Sequence, residues 1–254
     1  MIREMPKKRA SSGPDTPPRA PKSIRSSIPS DRTNEYFSRF RECNERNGRN
    51  KRGGGNENVT DAVIMQDLRA VASGEATDGC RGLWRFCIAY GVNRTFRDMK
   101  DAMKDPSKLA KLEPIRRHLT ARWPELRGLG STVGVAREVE DLMACCQAAG
   151  FGRNPSFASK CLCMLGVPCP IFSSEARAFL RAAEHKLRDD CKEPGEYASF
   201  CKAWMCEYDK HRARYEDAAR CELEGDLEHE LGKAWFAMRG FDVHVMAVGG
   251  PMRK

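Results

Sequence analysis

The chain has 254 residues, of which 41% are hydrophobic and 31% charged, with a formal net charge of +9. That length suffices to bury a core as one large domain or two small ones, and no stretch approaches a membrane span of roughly 20 apolar residues. Residues 1–58 carry 14 Lys/Arg against 7 Asp/Glu, while residues 59–254 carry 30 against 28, so the basic balance alone identifies no nucleic-acid surface on the body.

Residues 1–33 are rich in Pro, Ser, Arg and Lys without a periodic apolar pattern, and read as a disordered basic tail. Within it Lys7-Lys8-Arg9 has the composition of a nuclear address. Tyr36, Phe37 and Phe40 predict a short helix, and residues 47–58, with Gly53-Gly54-Gly55, a flexible linker. The boundary falls near Val59, which divides the chain into a tail and linker (1–58) and a helical domain (59–254).

Beyond the boundary the apolar spacing is helical. Helices are predicted over 59–73, 82–90, 94–103, 108–122 (ended by Trp123-Pro124), 131–149, 156–165 and 174–187. A long one follows over 196–224, and another over 226–239 capped at Gly240. Only residues 243–248, with Val243, Val245 and Val248, have the composition of a strand. There is no internal repeat, and the expected fold class is all-α with short loops.

Twelve cysteines sit behind a start, Met1-Ile2-Arg3-Glu4, that lacks the apolar core of a secretory leader. Free thiols in a reducing compartment are therefore expected, with a cytoplasmic location, nucleoid-associated in a bacterium or nuclear in a eukaryote. No Cys-x-x-Cys pair occurs, and Cys145-Cys146, Cys161 with Cys163 and Cys169, and Cys201 with Cys206 lack structural-zinc spacing. The five histidines, His118, His185, His211, His229 and His244, never pair at helical spacing. Without a Walker loop, a dinucleotide fingerprint or His-Glu-x-x-His, no metal and no cofactor is predicted. Trp84, Phe86, Trp204 and Tyr208 have the chemistry to stack on a base, but their helical spacing predicts core packing. The acidic run from Glu222 to Glu230 reads as a solvated helix start.

The most informative segment runs from Gly150 to Lys160, followed by Pro170-Ile171-Phe172-Ser173-Ser174-Glu175. It sets two apolar helices around a glycine hairpin and then leads through proline into a third, offering backbone N–H groups where an anion can sit. Here the sequence resembles the helix–hairpin–helix DNA glycosylase superfamily, and more narrowly small bacterial proteins with 8-oxoguanine-glycosylase-like folds. The likeness covers residues 131–187 well and 188–240 loosely, and leaves 1–58 uncovered. Gly150-Phe151-Gly152 and Ala158 match the family hairpin, with two extra residues between them. Ser156 occupies the position of the catalytic lysine of bifunctional members, as serine does in monofunctional adenine glycosylases, so the resemblance disfavours Schiff-base lyase chemistry. Lys160 falls out of register with that lysine.

Where the family carries a catalytic aspartate, this chain has Ser173. A serine cannot supply the negative charge that stabilises the oxocarbenium or activates water, but it can cap a helix. Glu175 is the substitute carboxylate, although two helical residues would turn it about 200° away. The resemblance thus implies a double-stranded-DNA-binding protein related to base-excision repair, with degenerate catalysis or, if active, monofunctional glycosylase chemistry. DNA contacts are assigned to Gly150, Gly152, Arg153, Asn154, Ser156 and Lys160, and catalysis to Ser173 and Glu175. The other reading of the same helices is a non-catalytic protein–protein interaction module of a mobile element or defence locus.

Overall fold

The computed structural model describes residues 61–249 apart from 97, 130–131, 189–190, 192 and 223–231. The predicted tail, aromatic segment, linker and boundary at 59, and most of the acidic run, lie outside the described residues. Within them all regular structure is helical. The α-helices are α1 (Asp61–Ser73), α2 (Gly79–Ala89), α3 (Pro106–Ala110), α4 (Glu113–Leu126), α5 (Thr132–Ala148), α6 (Pro155–Met164), α7 (Ser174–Ala182), α8 (Glu196–Asp209), α9 (Arg212–Glu222) and α10 (Lys233–Gly249). Among the described residues no helix is long and apolar enough to cross a membrane.

Helix α1 packs on α2 and α4, and α6 lies across α5 and α1, with Phe157 meeting the rings of Phe86 and Phe96. Helix α8 rests on α5, and α10 lies between α7 and α9. The core runs continuously through all of them, from Leu68 and Leu83 to Trp204, Trp235 and Phe241. Trp84, Phe86, Trp204 and Tyr208 are buried in it, as their helical spacing predicted.

Several boundaries depart from the periodicity. Residues 243–248 are the last turns of α10 and not a strand. Packing against both α7 and α9 outweighs the modest β preference of valine, and Gly240 lies inside the same helix. The single helix predicted over 196–224 is two, α8 and α9, separated at Lys210 and His211, where the His211 amide bonds back to Tyr208 O (2.9 Å). That break lets Tyr215 meet Phe241 from a different direction than Trp204 does. The helix predicted over 94–103 is two 3₁₀ turns, Asn93–Thr95 and Ala102–Lys104, because Asp98 and Asp101 take left-handed φ values of 63° and 62°. The 108–122 prediction resolves into α3 and α4, and Pro124 lies inside α4. In a last turn, proline forfeits only the bond to the Thr120 carbonyl, and burial of Leu126 beyond it offsets that loss.

Two helix ends share one chemistry. After α5 the Gly150 amide bonds to Gln147 O and that of Phe151 to Cys146 O, both at 3.0 Å, with Gly150 at φ 85°. After α7 the amides of Glu184 and His185 bond to Arg181 O (2.9 Å) and Leu180 O (3.0 Å). Both are Schellman terminations. The second puts Glu184 at φ 66°, so α7 stops at Ala182 without the glycine that would mark it in the sequence.

His244, 8% exposed, sits among the rings of Phe179, Tyr215 and Phe241. Burial pushes its pKa down to about 4, and the nearby charges of His211 and Arg214 act in the same direction. An unfolded histidine titrates near ~6.5. The folded chain therefore binds fewer protons below that pH, and the stability tied to a neutral His244 is lost as pH falls from about 6.5 toward 4. Thermal denaturation over this range is expected to decline less steeply for His244→Gln than for the wild type. Parallel declines would mean that His244 becomes charged without penalty.

Candidate functional site

The turn between α5 and α6 is exposed at Gly150 and Gly152. Gly152 holds φ 73°, with open space around the position of a side chain. The polar residues that follow turn inward. Arg153 pairs with Glu140 of α5, both partners less than one-fifth exposed. Glu140 also accepts the amides of Gly195 (3.2 Å) and Tyr197 (3.1 Å), and so ties the hairpin to the start of α8. Asn154, 4% exposed, caps α6 by accepting the Phe157 amide (3.0 Å), and its Nδ2 donates to Thr95 Oγ1.

Ser156 and Lys160 lie one turn apart on α6, hence on one face, and both are half-buried. The Lys160 ammonium donates to Tyr90 O at the end of α2 (3.3 Å). Ser159, between them, donates to Pro155 O (2.7 Å) and accepts the Phe172 amide (2.9 Å). The Pro170 carbonyl accepts from Tyr197 (2.5 Å), and Cys169 donates its thiol proton to Ser159 O (3.1 Å). The segment leading into α7 is thereby pinned between α6 and α8.

Ser173, 9% exposed, caps α7: its Oγ accepts the Ala176 amide at 3.0 Å. Its backbone is extended (φ −138°, ψ 165°), so the helical rotation per residue does not apply between Ser173 and Glu175. This overturns the expected 200° separation. Glu175, in the first turn of α7, lies near enough to Lys160 for each charge to act on the other. Burial raises the Glu175 pKa, but its own amide, the hydroxyls of Ser174 and Ser173 and the Lys160 charge outweigh this and hold it below the usual glutamate value. Burial lowers the Lys160 pKa, opposed by Asp242 and Glu175 and reinforced by Arg239. Asp242 and Arg239 of α10 are themselves buried and paired at 2.5 Å.

The structure thus brings Lys160, Ser173 and Glu175 within electrostatic reach of one another, with Ser156 one turn before Lys160 on α6, and leaves Gly150 and Gly152 on the exposed turn. Arg153 and Asn154 serve as clamp and cap. Tyr90, Arg239 and Asp242 complete the cluster and were absent from the sequence-based set. The signal for Asp242 was an acidic residue between the apolar Phe241 and Val243. A neighbouring cavity of about 490 Å³ is lined by Phe172, Arg177, Leu187, Arg188, Cys191 and Phe200, among others. Arg177 stacks over Phe172 (5.1 Å), and desolvation raises the Cys191 thiol to about 12, leaving it un-ionised at neutral pH. Compared with family models, curated proteins and solved structures, the chain matches none.

Proposed function

We propose that this protein binds duplex DNA through the exposed glycine hairpin and offers the Lys160–Glu175 pair to a base, as a divergent relative of the helix–hairpin–helix DNA glycosylases. The observation that carries this reading is the convergence of Lys160, from the helix after the hairpin, with Glu175, at the start of the next helix. The catalytic positions of the resembled family fall at Ser156 and Ser173, one helical turn before Lys160 and two residues before Glu175. The two environments suit opposite duties. Glu175, held ionised, would take a proton from the attacking water, and Lys160, with its pKa lowered, would donate one to the departing base. The C1′–N bond breaks, a C1′–O bond forms, and the reaction is hydrolysis without a covalent enzyme intermediate. Ser173 keeps the helix start in place and takes no part in proton transfer.

The inward pairing of Arg153 and the burial of Asn154 favour the second reading, a protein-interaction module, because they leave the hairpin few charges of its own. DNA contact would then rest on backbone amides at Gly150–Gly152, which a carboxylate at the tip would repel. Aspartate and asparagine both tolerate positive φ, and position 152 has room for either. In a salt series with the full chain and duplex DNA, Gly152→Asp is expected to bind at least about tenfold more weakly than Gly152→Asn, a loss of ~1.4 kcal/mol. Equal binding by both variants would remove the hairpin from the interface. No binding by the wild type would leave the protein-interaction module.

A further inference from the structure

A second cluster of chemically capable side chains stands apart from the Lys160 centre, at the seam between α7 and α8. The Schellman turn at Glu184 brings His185 back against α8, where its Nε2 lies 2.6 Å from Oε1 of Glu207. Cys206 adjoins Glu207, and one ligand atom from each of His185, Cys206 and Glu207 lies within 4.8 Å of the others. With no ion present that contact is a hydrogen bond between imidazole and carboxylate, and the two groups would part by several tenths of an ångström to place an ion about 2.0–2.1 Å from each.

We propose that His185, Cys206 and Glu207 form a binding site for zinc or a comparable thiophilic divalent ion, with a fourth position open to water. Imidazole, thiolate and carboxylate together suit a borderline-soft ion, whereas magnesium and calcium select oxygen ligands alone. Access is open through Cys206, which is exposed, while Glu207 is buried and so held in position. The opposing influence is Lys210, whose ammonium lies 2.7 Å from the same Glu207 oxygen. It neutralises the carboxylate when no ion is bound and repels a dication. Binding is therefore moderate and tunable through residue 210. The ion would cross-link the end of α7 to α8, fixing the chain just before Lys186, Leu187 and Arg188, which wall the 490 Å³ cavity.

The test is a cobalt(II) titration of the full chain in a non-thiol reductant. One equivalent is expected to produce tetrahedral d–d absorption together with a thiolate-to-cobalt charge-transfer band, and zinc should displace both. Cys206→Ser, an exposed change that the fold tolerates, should abolish the charge-transfer band, while Cys145→Ser retains it. Lys210→Met should bind cobalt several-fold more tightly. Thermal stability should rise with cobalt concentration in the wild type and not in Cys206→Ser. No cobalt spectrum in the wild type, or a charge-transfer band that survives Cys206→Ser, would overturn the proposal.

Discussion

Phe241→Ala is expected to destabilise the fold by about 3–5 kcal/mol, the range for truncating a fully buried phenylalanine. Phe241 has no exposed surface and meets Phe179 of α7 (6.1 Å between centroids), Trp204 and Tyr208 of α8 (4.9 and 5.6 Å) and Tyr215 of α9 (5.4 Å). Its ring is where α10 is held to three other helices at once, and most of those contacts are tilted or edge-on, each adding about 0.5–1.5 kcal/mol beyond area burial. Removal leaves a cavity lined by rigid rings that collapse poorly. Urea denaturation of the full chain measures the effect. Phe241→Leu, which refills much of the volume, should recover a large part of it. A loss below about 1 kcal/mol for alanine would mean that these rings do not pack as one unit. Since Asp242 follows Phe241 and its charge acts on Lys160, the same variant should also disturb the candidate site.

The second large effect is chemical. On whichever duplex of a panel, each with one damaged or mismatched base, the full chain excises a base, Lys160→Met is expected to slow single-turnover excision by about 10²–10⁴-fold. Methionine keeps the length and apolar stem of the side chain but removes the donor to Tyr90 O and the charge that faces Glu175 and Asp242. A partly buried charge exchanged for a well-packed apolar group need not destabilise, so the melting temperature should change little. Lys160→Arg should be nearly as slow, because a guanidinium does not release its proton near neutral pH. The pH dependence follows from the two shifts. Activity should rise as Glu175 ionises, below the usual glutamate range, and fall as Lys160 deprotonates, below the usual lysine range. An unchanged rate in Lys160→Met would take this amine out of the reaction, and the fold with it out of the proposed mechanism.

Much of the helical order was legible because its causes are local. Apolar residues at three- and four-residue steps marked α1, α4, α5 and α6. Ser173 announced itself as a cap and accepts an amide three residues on, whereas Asn154, assigned to DNA contact, turns out to cap α6. Gly150 marked a helix end. Where a boundary was misplaced, the cause was a residue acting against its type. Glu184, Asp98 and Asp101 adopt the left-handed conformation that glycine usually takes, Pro124 sits inside a helix, and valines near the end of α10 remain helical.

The candidate sites were legible only in part. Ser156, Lys160, Ser173 and Glu175 were picked out by a resemblance, yet Glu175 was judged to face away, because the extended backbone at Ser173 does not show in the sequence. A search for cysteine and histidine spacing could not find His185 with Cys206 and Glu207, since two helices bring them together across more than twenty positions. The sequence by itself determined an all-helical body, the helix end at Gly150 and the cap at Ser173, all from interactions reaching at most five residues along the chain. Only the tertiary structure decided which charges meet: Arg153 with Glu140, His185 with Glu207. Those pairings depend on how helices pack, and packing is set by the burial of side chains far apart in sequence, which no local pattern encodes.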